Sequence, residues 1–411
     1  MKRVEMSPRV FYLTRREMMK QVSIVLGVAS SPLTSLALSE KEKKELNYIS
    51  RPGNDHTFPC LEISAGTYFE LGEMIGKTFV TQIQNGLSRR SKLIKKMKDF
   101  AGADLEGRYQ GFIEALEMHL PHLLEELKGE ARGAGVPFFD LMVLNLNPEY
   151  SMLMRKPLSE PDCSTVISRT PDRVILAHNE DGSGAYHDSM FVLKVNAPSG
   201  VTFLCMSYPG IIAGNAPGVN DQGIAHSSNF ISSKEVKIGI PRYFLDRAML
   251  EARDLDAAVG LAGHPARAYS QNHNLVSYPE KRALMVETTP SKYEVKEVDG
   301  LAFHTNHFVL EGMRDVPESR LAIATSRPRY NVLKKEAEKM AHPSSPEPED
   351  LVKILSSHKG KPFCPCRHPS KAGLGCTLGT AVFDTDRDSL QLFKGRPCQK
   401  KHATYRIYKD F

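Results

Sequence analysis

The chain has 411 residues, of which 41% are hydrophobic and 25% charged, the make-up of a globular protein with room for a sizeable buried core. The net charge of +6 and pI of about 8.8 are mildly basic, and with no basic patch interleaved with aromatic residues they leave no footprint for nucleic acid. No apolar run reaches the roughly 20 residues of a membrane-spanning helix, so no stable membrane span is expected.

At the N-terminus, Thr14-Arg15-Arg16-Glu17-Met18-Met19-Lys20 precedes a moderately apolar stretch from Val22 to Leu38 and a charged run from Ser39 to Glu45. A basic segment followed by a short apolar one is the layout of a signal peptide. The paired arginines resemble a twin-arginine export signal, so residues 1–39 are expected to direct export to the periplasm or the outside. The alternatives are a membrane anchor or a plain N-terminal helix. Residues 40–162 then form a helical segment. Between Thr67 and Asn145 apolar residues recur at three- and four-residue steps, as in amphipathic helices. One helical pattern runs from Glu106 to Leu127 and is expected to break at Gly129, Gly133 and Gly135; a short helix follows Pro137.

After Pro161 the regime changes, and residues 163–411 form a second region. Short β-branched stretches at Thr165–Ser168, Val174–His178, Met190–Val195, Val201–Tyr208 and Gly223–Asn229 are bounded by turn residues, as in an antiparallel meander. A helix is expected over Pro241–Gly260, strands over Asn274–Val276, Arg282–Glu287 and Lys292–Val298, and helices over Pro328–Met340 and Glu349–Ser356. Thr377–Phe383 and Ser389–Phe393 read as a final hairpin. Helices before and between runs of antiparallel strands give an α+β fold in layers.

Seven cysteines are present, and an odd number leaves at least one thiol unpaired in an exported chain. Cys364, Cys366 and His368, with Cys376 further on, make a poor zinc motif, because Cys-Pro-Cys separates its thiols by one residue rather than two to four. Free thiols or a disulfide are expected there, and no metal or cofactor anywhere. Cys163 is different. Buried inert cysteine is the common state, but Asp162-Cys163-Ser164-Thr165 opens the first strand of a hairpin whose return strand carries His178-Asn179-Glu180-Asp181 back to its start.

This pattern resembles the isopenicillin N acyltransferase family of N-terminal-nucleophile hydrolases, and is distantly similar to bile-salt hydrolases and penicillin V acylases. Upstream pieces of the likeness are Gly66–Gly76, Glu125–Ala131 and Asn145. Downstream pieces are Asn220-Asp221-Gln222-Gly223-Ile224, Gly239-Ile240-Pro241-Arg242, His304-Thr305-Asn306-His307-Phe308, Ser326-Arg327 and Gly395-Arg396-Pro397-Cys398. The resemblance implies a four-layer αββα sandwich and a precursor that cuts its own chain between Asp162 and Cys163. The two pieces would stay packed together as a heterodimer. The new α-amine of Cys163, with a pKa near 8, would serve as base for its own thiol. Asp181 would bind that amine, Asn306 would donate to the oxyanion with Asn220 as a weaker candidate, and Arg327 would stand near the nucleophile. Each has a plainer reading: Asp181 a turn cap, Asn306 a turn asparagine, Asn220 part of a hairpin turn, Arg327 a surface arginine at a helix start. Two departures are visible: Asp162 replaces the glycine of the penicillin enzyme type, and His178 stands where the bile-salt branch has arginine.

The reaction so implied is hydrolysis of a small linear acyl amide through an acyl-enzyme on Cys163. The alternative is transfer of an acyl group from a thioester or amide to an amine such as a 6-aminopenicillanic-acid-like acceptor. Two other classes compete: a papain-like thiol hydrolase with His307 as base, although the Cys-Gly-Ser-Cys-aromatic signature is missing, and an exported binding protein without chemistry.

Overall fold

The computed structural model describes residues 48–103, 107–154, 163–369 and 375–407. The expected export signal and Asp162 lie outside the described residues.

Among the described residues, seven helices make up most of the upstream segment: α1 (Tyr68–Thr78), α2 (Val80–Arg89), α3 (Ser91–Gly102), α4 (Arg108–His119), α5 (Pro121–Ala134), α6 (Phe138–Asn145) and α7 (Asn147–Leu153). Helix α1 starts on a capping box, in which Thr67 Oγ1 accepts from Glu70 N–H and the Glu70 carboxylate accepts from Thr67 N–H. The long pattern expected from Glu106 is two helices, because Pro121 opens a new first turn at α5. Gly129 and Gly133 do not break α5, which ends only at Gly135 in the left-handed region. Their role is tertiary. A Cβ added at Gly129 would collide with the Phe69 carbonyl oxygen and one at Gly133 with that of Glu73, while Gly72 and Gly76 of α1 meet the carbonyls of Glu126 and Glu130 in the same way. The two backbones therefore touch along a seam of four glycines. Gly129→Ala is expected to cost about 3 kcal/mol, the upper end for overpacking, since the obstacle is backbone. A urea midpoint unchanged from wild type would show that the seam can open freely.

Among the described residues, fifteen strands form two sheets. One orders β1 (Tyr48–Arg51), β2 (Cys60–Ser64), β5 (Phe191–Asn196), β6 (Thr202–Ser207), β7 (Gly218–Asn220), β8 (Ile224–Phe230), β9 (Gln271–Ser277), β10 (Arg282–Thr288) and β11 (Tyr293–Glu297). The other orders β12 (Gly300–His304), β3 (Ser164–Thr170), β4 (Arg173–Gly182), β13 (Cys376–Asp384), β14 (Ser389–Lys394) and β15 (Ala403–Arg406). Every strand pair is antiparallel except β2 with β5, which run in parallel.

The remaining helices are α8 (Arg242–Met249), α9 (Leu255–Ala262), α10 (Arg320–Ala337) and α11 (Pro348–Leu355). The single helix expected over Pro241–Gly260 is thus α8 and α9, the second capped by Asp254, whose side chain accepts from Ala257 N–H. The helix expected to begin at Pro328 starts at Arg320 and carries Pro328 inside it.

Alternation along the strands builds the layers. Val166, Ile175, Ala177 and Val382 pack outward on Leu333, Ala337, Leu351 and Ile354 of α10 and α11. Ile224, Leu275, Leu284 and Val286 pack outward on Met249, Leu255, Ala258 and Ala262 of α8 and α9. Ile167, Leu176 and Phe383 of one sheet join Val192, Leu204 and Met206 of the other in the core between them. The result is an α+β sandwich in the order helix, sheet, sheet, helix, as expected. Among the described residues no helix is long and apolar enough to cross a membrane.

Candidate active site

The site grows out of the β3–β4 hairpin. Its register pairs Thr165 with His178 and Ser164 with Asn179. One step further, Cys163 stands beside the Glu180–Asp181 end of β4. Thr165, His178 and Glu180 face the other sheet. Asn179 faces the helix layer, where its Nδ2 donates to the carbonyls of Leu355 and Pro365, both at 3.0 Å.

Cys163 is 3% exposed, and its main chain is gripped on both sides. Its N–H donates to Asn306 Oδ1 at 2.8 Å, and its carbonyl accepts from the Arg329 guanidinium at 2.6 Å. The same guanidinium donates to Asn306 Oδ1 at 2.8 Å and to Ser164 Oγ at 3.1 Å. Asn306 is itself anchored: its backbone N–H donates to Ser326 Oγ at 2.7 Å and its Nδ2 to the Phe230 carbonyl at 2.9 Å. Arg329 and Ser326 share the buried face of α10 with Leu333 and Ala337, at the three- and four-residue steps of a helix. Arg327 lies off that face and is exposed. The arginine against the cysteine is therefore Arg329, two residues beyond the one singled out from sequence.

The sulfur lies within 4.8 Å of ligand atoms of His178 and Glu180. Both ring nitrogens of His178 are engaged, Nδ1 with Thr165 Oγ1 at 2.9 Å and Nε2 with Glu180 Oε2 at 3.2 Å, and Tyr208 donates to Glu180 Oε1 at 2.6 Å. Burial pushes the Cys163 thiol well above its ordinary range, and the charges of Glu180 and Asp181 push it the same way, against the Asp181 backbone N–H and Arg329. The resting group is a thiol, so nucleophilic attack needs a base that removes the proton as the bond forms. His307 is poorly suited to that task. It bonds Ser326 Oγ at 2.7 Å, and burial, reinforced by His304, Arg327 and Arg329, pulls its pKa down to about 3.

Asp181 is fully buried, and its Oδ1 accepts from Thr377 Oγ1 at 2.6 Å. Asn220 lies on β7 in the other sheet. Its Nδ2 donates to the carbonyls of Leu250 and Ala252, and its Oδ1 accepts from the N–H groups of Gln222 and Ile224. Those bonds close the β7–β8 turn and tie it to the end of α8.

The family model described as acyl-coenzyme A:6-aminopenicillanic acid acyl-transferase matches residues 168–399. The chain belongs to this family. Among curated relatives of this family member, a beta-alanyl-dopamine/carcinine hydrolase of Drosophila melanogaster is 25% identical over 365 residues, covering 81% of this chain and 92% of the relative. The 40 kDa form of the acyl-coenzyme A:6-aminopenicillanic-acid-acyltransferase of Emericella nidulans is 23% identical over 340 residues, covering 81% and 91%. A solved structure of a mutant conjugated bile acid hydrolase from Clostridium perfringens is similar at 13% identity with a TM-score of 0.35, over 60% of this chain and 97% of that one. Membership of the acyl-transferase family makes the protein an enzyme of the hydrolase and acyltransferase kind.

Proposed function

We propose that the protein cuts its own chain before Cys163 and then hydrolyses a small linear acyl amide through an acyl-enzyme on that residue. The observation that carries this reading is the bond from Cys163 N–H to Asn306 Oδ1. Any buried backbone N–H needs an acceptor, but an ordinary thiol hydrolase has no use for one that also suits an amine. Here a buried carboxamide oxygen accepts from it, and the buried Asp181 lies at the facing end of β4. Those acceptors suit an α-amine, which gains donors and positive charge once the preceding bond is broken.

The amine takes the thiol proton while Sγ attacks the substrate carbonyl. Asn306 Nδ2 carries two hydrogens: one donates to the Phe230 carbonyl, and the other is the donor this reading assigns to the oxyanion. Collapse expels the amine product, which leaves with the proton, and water attacks the thioester. Arg329 holds the carbonyl of Cys163, so the main chain on either side of the sulfur stays fixed through both half-reactions. The Drosophila relative's name supports hydrolysis, whereas the Emericella relative's name supports transfer to an amine, the second reading.

Intact-mass analysis of the purified protein tests the proposal. Two fragments are expected, the second beginning at Cys163, with a mass gain equal to the acyl group when a slow acyl amide is added. A single chain that turns over substrate, or a second fragment starting elsewhere, would overturn it. Comparing turnover in water with turnover in the presence of added amines separates the two readings.

A further inference from the structure

We propose that His358, Cys366, His368 and Cys398 bind a zinc ion. The ligand atoms of the four residues all lie within 4.8 Å of one another. His358 Nε2 and His368 Nε2 face each other at 3.0 Å, with the rings 80° apart, and Cys398 Sγ lies 3.7 Å from His368 Nε2. Zinc bonds of 2.0–2.1 Å to nitrogen and 2.3 Å to sulfur place the corners of a tetrahedron about 3.3–3.8 Å apart. The cluster is already close to that size.

The ligands come from separate pieces of chain. His358 follows α11, Cys366 and His368 lie in the segment after it, and Cys398 sits in the short turn Pro397–Gln399 beyond β14. The folded chain thus gathers two imidazoles and two thiols at one point, with the thiols not joined in a disulfide. Two soft sulfurs and two nitrogens at tetrahedral spacing select zinc over the harder divalent ions, and four protein ligands leave no open position, as in structural sites. In the bound state His368 Nδ1 carries the ring proton, so the Arg396 guanidinium, which donates to that nitrogen at 2.8 Å, turns aside.

The segment so held lies directly behind β4. Thr377 N–H donates to the Arg367 carbonyl at 3.0 Å, Arg367 N–H donates to Thr377 Oγ1 at 3.0 Å, and that hydroxyl donates to Asp181. The ion would pin the stretch that positions Thr377, and it does so whatever reaction Cys163 performs.

Elemental analysis of the full-length protein, purified under reducing conditions, is expected to give about one zinc per chain. A strong chelator should release it, expose two reactive thiols and lower Tm, and added zinc chloride should restore Tm. Cobalt in its place should show thiolate charge-transfer and tetrahedral d–d absorption, both lost in Cys398→Ser and weakened in His358→Ala. The chelation series needs no variant, so a misfolded variant does not decide the matter. Metal-free wild type whose Tm ignores zinc overturns the proposal. So does full zinc retention in both variants, or a Cys366–Cys398 disulfide in protein that binds no zinc once reduced.

Discussion

Replacing Cys163 with alanine is expected to leave the chain whole and abolish turnover. The side chain is buried against Glu180 and the end of β4, and alanine fits its space with the loss of one sulfur, so the fold should persist. Removing the attacking atom removes both the self-cut and the acyl-enzyme. By comparison with nucleophile removal in other hydrolases, the loss in kcat is about 10⁶-fold. Cys163→Ser separates the two steps. Its hydroxyl can attempt the acyl shift, but as a poorer nucleophile it should cut slowly and turn over weakly. An alanine variant that is still cut before position 163, or that keeps more than about 1% of wild-type kcat, is incompatible with the proposed role.

For Asn306→Ala the expected loss is about 100- to 1,000-fold in kcat, or roughly 3 to 4 kcal/mol, the range for a single oxyanion donor. KM should change little, because the ground-state carbonyl carries less charge than the tetrahedral intermediate. The side chain has a second task, since its Oδ1 receives both Cys163 N–H and Arg329. The self-cut passes through a similar intermediate and should slow as well. The measurement therefore belongs on protein assembled from two co-expressed pieces, one of them starting at Cys163. Asn306→Asp supplies the control: it keeps an oxygen for the amine and for Arg329 but loses the donor. If the aspartate variant matches wild type in kcat, Asn306 only positions the amine and the oxyanion donor is elsewhere.

Local pattern carried much of this architecture. The hairpin that returns His178–Asp181 to Cys163 could be read directly, because β-branched runs and the Thr170-Pro171-Asp172 turn specify register without help from distant residues. So could the helix-then-strand order and the final hairpin. What could not be read was set by tertiary contact. Gly129 and Gly133 have the poorest helix propensity short of proline, and only the backbone of α1 explains why a helix keeps them. Pro328 looks like a helix start, which hid the turns before it; Arg327 came forward from the family resemblance, and the spacing of Ser326, Arg329, Leu333 and Ala337 was the available signal for Arg329. Asn220 resembled a site residue, yet its amide is spent within its own turn and on the end of α8. The four clustered metal-type ligands fit no sequence motif, because His358 and Cys398 come from chain segments outside the stretch Cys364–His368.

The parallel pairing of β2 with β5 joins chain from before Cys163 to chain from after it in one sheet. Before any cut this is an intramolecular contact, and unfolding is reversible in the ordinary first-order sense. After a cut the same contact is an interface between two polypeptides. Refolding becomes a bimolecular encounter, and the thermal midpoint acquires a dependence on protein concentration. The downstream polypeptide alone would also present β5 as a bare edge open to other chains. Maturation would then work as a ratchet: the enzyme folds once as a single molecule and afterwards survives by the slowness of its unfolding rather than by its capacity to fold again.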